Sequence, residues 1–127
     1  MSALIPTTVH RTARNQASID LANAGSGAPA IKLFTEYGGT LLAVRNLKRP
    51  CGVLNAQGRI ELRQADADDL VVAGGSATYA EWVSGDGTVL GFGDVTDATG
   101  AGVFRIAGGT LLIQGGILRL SEPAVLG

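Results

Sequence analysis

Short apolar runs separated by glycine-rich turns make up most of the chain, and their spacing favours strands over helices. Residues 59–63 alternate with a period of two, which puts Ile60 and Leu62 on one face. Runs of similar length recur at 30–35, 40–47, 70–73, 103–106, 110–114 and 117–120. The pattern predicts an all-β protein, an antiparallel β-sandwich or jelly roll of about seven or eight short strands.

The clearest single element is a hairpin over residues 76–95. Its first half carries Thr78, Tyr79 and Trp82, which are residue types that fit a pleated sheet. Residues 84–87 read Ser-Gly-Asp-Gly, and these tolerate the positive φ that a tight reversal requires. The hairpin holds the one tryptophan of the chain, so we expect it to lie at the centre of the core.

The two ends of the chain depart from this pattern. Residues 1–10 are expected to form an extended arm, because Pro6 and the β-branched residues after it disfavour a helix. Segment 11–24 is the candidate for one short N-terminal helix, which Gly25 would end. Residues 121–127 form an apolar tail, which is expected to cover a sheet edge or a neighbouring molecule.

Composition places residues 1–127 in a single β-sandwich domain. Glycine occurs 19 times without a strict period, which fits many tight turns and argues against a helical bundle. The net charge is −1 and charged residues make up 17%, so the surface is unsuited to attracting nucleic acid. No apolar run approaches the roughly 20 residues of a membrane-spanning helix. The first residues lack a signal peptide, so synthesis in the cytoplasm is expected.

The chain offers little for catalysis or metal binding. It has one histidine, His10, and one cysteine, Cys51, whereas a zinc site needs about four ligands. A serine hydrolase would depend on His10 in the predicted arm, and the chain has no G-x-S-x-G motif. For Cys51, an inert packed thiol is favoured over a nucleophile. We therefore expect no enzyme, no cofactor and no metal.

Two clusters of charge remain. Asp66, Asp68 and Asp69 form an acidic loop without EF-hand spacing, so a solvated loop is favoured over a calcium site. The densest basic cluster consists of three residues near a strand end: Arg45, Lys48 and Arg49. It is interpreted as a solvated strand end or as a docking patch for an acidic partner surface, because no aromatic residues are interleaved for nucleic-acid binding.

Several short motifs follow one another between residues 20 and 120, and each marks a predicted strand or its end. They are Asn23-Ala24-Gly25, Ala30-Ile31-Lys32-Leu33-Phe34, Leu41-Leu42-Ala43, Pro50-Cys51-Gly52, Asp86-Gly87-Thr88-Val89 and Ala107-Gly108-Gly109-Thr110. In this order they resemble the small Gly/Ala/Thr-rich structural proteins of tailed-phage and prophage virions.

This resemblance implies a non-enzymatic capsid decoration (cement) protein, bound to the outside of the major capsid lattice. The implied partners are the major capsid protein and copies of the chain itself, as a dimer or trimer, with no nucleic acid, membrane or cofactor. The implied location is the capsid surface of the virion, after synthesis in the host cytoplasm.

Position and chemistry predict which residues would make the contacts. The arm and the apolar tail carry exposed apolar candidates, and the basic cluster is a candidate docking patch. The predicted partner-binding residues are Leu4, Ile5, Pro6, Arg45, Lys48, Arg49, Val125 and Leu126.

A second function class stays open, namely a phage tail or receptor-binding β-sandwich module that recognises carbohydrate. Such sites need exposed aromatic side chains with polar neighbours, and the candidates are Tyr37, Tyr79 and Trp82. The two that lie in the hairpin are expected to be buried.

Overall fold

The computed structural model describes residues 4–127, which form a mainly β protein with one N-terminal helix. Helix α1 spans Thr8–Ala22. The strands are β1 Ala30–Phe34, β2 Leu41–Leu54, β3 Ile60–Gln64, β4 Asp69–Leu70, β5 Gly75–Ser76, β6 Tyr79–Val83, β7 Val89–Asp97, β8 Phe104–Ile106, β9 Leu111–Leu112, β10 Ile117–Leu118 and β11 Val125–Leu126. The expectation of a mainly β protein is confirmed.

Seven strands form one curled sheet in the order β11-β3-β2-β1-β6-β7-β8. The sheet is mixed, because β8 pairs with β7 in parallel, with Val95 opposite Phe104. The remaining strands form two short ribbons, β4–β10 and β5–β9. The purely antiparallel expectation is wrong at this edge. Strand β7 also continues to Asp97, two residues beyond the end of the predicted hairpin, where β8 gives it a hydrogen-bonding partner.

The predicted hairpin is confirmed as β6 and β7, joined by a turn in which Gly87 has φ of +89°. Trp82 faces inward and is buried as expected. The core also receives Ile31 and Leu33 from β1 and the inward side chains of both ribbons, among them Leu118. One continuous core therefore lies between the large sheet, α1 and the ribbons.

Helix α1 begins earlier than the sequence predicted. Thr8, Val9 and His10 are helical, and the Thr7 hydroxyl accepts a hydrogen bond from the backbone N–H of His10 at 3.3 Å. This N-cap offsets the weak helix propensity of the β-branched residues, which costs only a few tenths of a kcal/mol each. The predicted arm therefore ends before Thr8, where α1 begins, and not at residue 10. Residues 1–3 of that arm lie outside the described part.

Strand β2 does not end with the apolar run 40–47, as the sequence predicted, but continues through Lys48, Arg49 and Pro50 to Leu54. Its pairing with β3 shifts register between Leu47 and Gly52, so a bulge absorbs the interruption and the strand resumes. The apolar tail adds β11 to the outer edge of β3. The expectation that the tail covers a sheet edge is confirmed.

The hairpin turn packs against the loop that follows α1. The backbone N–H of Gly85 donates to the carbonyl of Ala22, the last residue of the helix, at 3.0 Å. A Cβ on Gly85 would lie 2.7 Å from the carbonyl oxygen of Ala24 and would overlap that of Gly27. Helix and sheet are therefore joined by backbone contacts that leave no room for a side chain.

We predict that Gly85→Ala lowers the free energy of unfolding by about 1–3 kcal/mol, because the added methyl group must push the two loops apart. Urea unfolding followed by circular dichroism measures the change. The matched control is Gly91→Ala in β7, where an added Cβ meets no atom within 4 Å and the expected change is under about 1 kcal/mol. Equal stabilities of the two variants would contradict the packing described here.

Candidate functional site

Five large aliphatic side chains lie exposed on the outer side of the two ribbons, and we call this group the aliphatic surface. Each is between 56% and 73% exposed. Its members are Leu70, Val72, Leu111, Ile113 and Ile117. Side chains of this size in strands usually face a core, so their exposure marks the ribbons as unusual.

The short strands place these residues by simple alternation. Leu112 and Leu118 point into the core, so the neighbours of each along the chain point outward. Leu70 and Ile117 are directly opposite each other across the β4–β10 pair. Large apolar side chains thus occupy both faces of the ribbons, beside Asp69 in β4 and Ser76 in β5. Apolar residues on both faces are typical of strands that are covered on both sides.

The aliphatic surface carries no charge of its own. Neither residues 70–76 nor residues 110–118 contain a charged residue. Charged groups lie just outside, where the Arg119 guanidinium is 2.7 Å from the carboxylate of Asp68. An uncharged apolar centre with a polar rim is the arrangement found in protein–protein interfaces.

A buried arginine fixes the segment that leads into β4. Arg45 is fully buried and donates four hydrogen bonds from its guanidinium. Its acceptors are Gln64 Oε1 at 2.8 Å, the carbonyls of Ala65 and Ala67 at 2.7 and 3.0 Å, and Asp69 Oδ2 at 2.8 Å. This network holds residues 65–69 against the centre of β2. It thereby fixes the position of Leu70, the next residue in the chain.

The carboxylate of Asp69 is held by more than the arginine. It accepts from the backbone N–H of Asn46 at 2.7 Å and from the Asn46 side chain at 2.9 Å. Burial raises the pKa of Asp69, but the hydrogen bonds from Asn46 and Arg45 and the arginine charge outweigh it, so this pKa is lowered. Asp69 is therefore a charged anchor at neutral pH.

The other acidic residues of the predicted loop face separate cations. Asp66 lies 3.3 Å from Lys48, and Asp68 is paired with Arg119. Among residues 4–127, no three acidic, histidine or cysteine side chains come together to hold a metal ion. The loop is organised by three ion pairs instead.

The predicted contact residues do not form one surface. Arg45 belongs to the buried network, so its placement in an exposed docking patch is wrong; its donors find acceptors inside the fold. Arg49 is exposed and donates to the carbonyls of Asn23, Gly25 and Gly27 at 2.7–2.8 Å, so it braces the loop after α1. Lys48 is exposed beside Asp66.

The apolar contact residues are divided between two places. Leu4 and Ile5 are largely exposed at the N-terminal end of the described chain, while Pro6 is half-buried. Val125 and Leu126 are half-buried within β11. The structure thus leaves Leu4 and Ile5 accessible and builds the tail residues into the sheet.

Sequence reasoning missed the aliphatic surface. The signal was present in the continuous apolar runs 70–73, 111–113 and 117–118, which leave no polar face in a strand. Reading each run as a core strand assumed that its second face was covered by the chain itself. Each strand of the ribbons is only two residues long, and within the described part of the chain the five side chains on the outer face stay exposed.

Neither residue considered for catalysis has a reactive setting. Burial raises the pKa of Cys51 to about 11, so its thiol stays protonated. His10 is exposed in the first turns of α1. A cleft of about 610 Å³ is lined by charges of both signs, among them Arg63 and Glu61, and so presents no single charge to a ligand.

Comparison of the chain with protein-family models, with curated proteins and with solved structures finds no match in any of the three. Within the described part of the chain, the helix falls short of the length and apolar character needed to span a membrane. The candidate function therefore rests on the surface itself.

We predict that Asp69→Asn lowers the free energy of unfolding at pH 7 by about 3 kcal/mol, because the buried Arg45 charge loses its counterion. The pKa of Asp69 is lower in the folded protein than its ordinary value of 3.8. Between the folded and the unfolded pKa of Asp69, the unfolded chain binds more protons than the folded protein. The stability that wild type has over Asp69→Asn is therefore fully present above pH 3.8 and declines below it. Urea unfolding at neutral and acidic pH measures both effects.

The control for this prediction is Asp66→Asn, at a side chain that is 93% exposed. We expect little change from it at either pH, as for most exposed ion pairs. A penalty for Asp69→Asn that stays the same at pH 7 and at acidic pH would contradict the role assigned to the carboxylate.

Proposed function

We propose that the protein is a non-enzymatic virion structural protein, a capsid decoration (cement) protein that binds the outside of a major capsid lattice. The observation that carries the proposal is the aliphatic surface on the two ribbons. The resemblance to small Gly/Ala/Thr-rich virion proteins supplies the kind of partner, and the surface supplies the means of attachment.

The chemistry of the aliphatic surface supports adhesion to protein. Exposed apolar patches mark interaction sites, and Leu70 and Ile117 of this surface are direct neighbours across the β4–β10 pair. Covering an exposed Leu or Ile side chain contributes about 1–2 kcal/mol before the costs of association are subtracted. Ile113 and Leu111, the two most exposed members, are the strongest candidates for central contacts.

Attachment of this kind gains its strength from repetition. One modest contact gives weak binding, but copies joined as a dimer or trimer engage several lattice sites at once, and avidity then exceeds the affinity of each contact. Leu4 and Ile5 at the N-terminal end supply a second exposed apolar segment for such contacts. The low charge of the chain suits a protein that is packed against neighbours.

The remaining parts of the proposal follow from this role. The partners are the major capsid protein and copies of the chain, and the location is the capsid surface after synthesis in the host cytoplasm. A sandwich or jelly-roll arrangement belongs to the proposal as well. It is supported by the ribbons, which contribute Leu112 and Leu118 to the same core as the curled sheet.

We predict that particles purified from the source carry this chain in copy numbers comparable to those of the major capsid protein, as counted by quantitative mass spectrometry. The double variant Ile113→Ser/Ile117→Ser, added to particles that lack the protein, is expected to bind them with an affinity at least about tenfold lower than wild type. This corresponds to the loss of central apolar contacts worth about 1.4 kcal/mol or more.

The matched control is Val9→Ser/Leu21→Ser, which removes two exposed aliphatic side chains from α1. It is expected to keep full occupancy, and circular dichroism checks that both variants are folded. A few copies per particle would point to the tail or connector and contradict the decoration role. Absence from particles, or full occupancy of the ribbon variant, would overturn the proposal.

A further inference from the structure

Four of the six aromatic residues of the chain are gathered outside the core, on the outer face of the large sheet. We call this group the aromatic platform; its members are Phe34, Tyr37, Tyr79 and Phe92. It lies on β1, β6, β7 and the turn after β1, whereas the aliphatic surface lies on the ribbons. Only Trp82 and Phe104 are used in the core.

Strand register builds the platform. Phe34 is directly opposite Tyr79 across the β1–β6 pair, and their ring centroids are 5.9 Å apart. The ring centroid of Tyr79 is also 6.0 Å from that of Phe92 and 5.6 Å from that of Tyr37, which it meets edge to face. Tyr79 is thus the centre of the group. The contacts among the rings hold them in defined positions before any ligand arrives.

The outer rings of the platform are open to solvent. Tyr37 is 82% exposed and Phe92 is 74% exposed, so the fold gains little from burying them. The hairpin was expected to bury Tyr79 with Trp82, but alternation along β6 sends Tyr79 and Glu81 outward and Trp82 inward. Placing rare aromatic residues in water, already packed against one another, is the arrangement of a binding platform.

Hydrogen-bonding groups lie among the rings. The Tyr79 hydroxyl donates to Glu81 Oε2 at 2.9 Å, and Asp94 is directly opposite Tyr79 on the β6–β7 pair. Lys32 is opposite Glu81 on the other side. Partial burial, the hydrogen bond to Glu81 and the negative charge of that residue raise the pKa of Tyr79 to about 12, so its hydroxyl stays a donor at neutral pH.

We propose that the aromatic platform is a binding site for a neutral hexose-based oligosaccharide. The apolar C–H faces of the sugar rings stack on Tyr37 and Phe92, and the sugar hydroxyls donate to the carboxylates of Glu81 and Asp94. Nothing in this site involves the ribbons, so it is independent of attachment through the aliphatic surface.

The contrast between the two surfaces supports this choice of ligand. The aliphatic surface has no charged side chain, which suits an apolar protein partner, whereas the platform mixes flat rings with carboxylate acceptors. A sugar presents the matching mixture of apolar faces and hydroxyl donors. Around the rings, Glu81 and Asp94 outnumber Lys32, so an acidic sugar would be repelled.

The test is to titrate the intact protein with maltohexaose, cellohexaose, mannohexaose and chitohexaose. Binding is measured by calorimetry and by NMR of the aromatic side chains. We expect at least one of them to bind with a Kd in the millimolar range or below, so concentrations of about 10 mM suffice. Tyr37→Ala and Phe92→Ala are each expected to weaken that binding about tenfold, through loss of one stacking contact.

Two control variants separate this site from the others. Tyr37→Phe keeps the ring and is expected to bind within about twofold of wild type, since stacking contributes more than the hydroxyl. Ile113→Ala changes the aliphatic surface and is expected to leave sugar binding unchanged. Loss of binding in Ile113→Ala would overturn the assignment of the site to the platform.

Three further outcomes would overturn the proposal. The first is that no sugar of the panel shifts the aromatic resonances at about 10 mM, a concentration that detects a millimolar Kd. The second is that oligogalacturonate, an acidic hexamer, binds as well as the neutral sugars. The third is that a hexalysine peptide binds to the rings while the sugars do not, which would make the platform a site for cationic protein segments.

Discussion

The buried guanidinium of Arg45 holds together parts of the chain that are far apart in sequence. It lies at the centre of β2 and reaches Gln64 at the end of β3, loop 65–69 and the Asp69 carboxylate. Gln64 in turn accepts from the backbone N–H of Leu120 at 2.8 Å and donates to its carbonyl at 3.0 Å. A charge taken out of water needs all of these partners, because losing one from a buried pair costs about 3–5 kcal/mol. The position of the β4–β10 ribbon relative to the large sheet depends on this network.

The ribbons carry more large apolar side chains than the core can take up. The inward side chains of the ribbons complete the core, and the outward ones form the aliphatic surface. On the large sheet, the same alternation buries Trp82 and exposes the ring of Phe92. Two surfaces of different chemistry result, one aliphatic and uncharged, the other aromatic with carboxylates. We propose an adhesive structural role for the first and a sugar-binding role for the second.

The sequence predicted what depends on local pattern and missed what depends on long-range pairing. Strand β1, the hairpin and the edge-covering tail follow from alternation and turn residues, and all three were found. Arg45 was misread because only the fold brings Gln64 and Asp69 around it, and an isolated arginine in a strand usually points to water. The parallel pairing of β8 was missed for the same reason, since nothing local to Phe104 specifies its partner strand. The helix start was missed because a single cap at Thr7 outweighed several weak propensities.

We propose that the aliphatic surface faces a partner in the assembled particle. Hydroxyl-radical footprinting can test this by comparing side-chain oxidation in the free protein and in the protein bound to particles. We expect Leu111, Ile113 and Ile117 to be oxidised readily in the free protein and to become protected on the particle, while Val9 and Leu21 on α1 are oxidised in both. Equal oxidation of the three ribbon residues in the two states would contradict it.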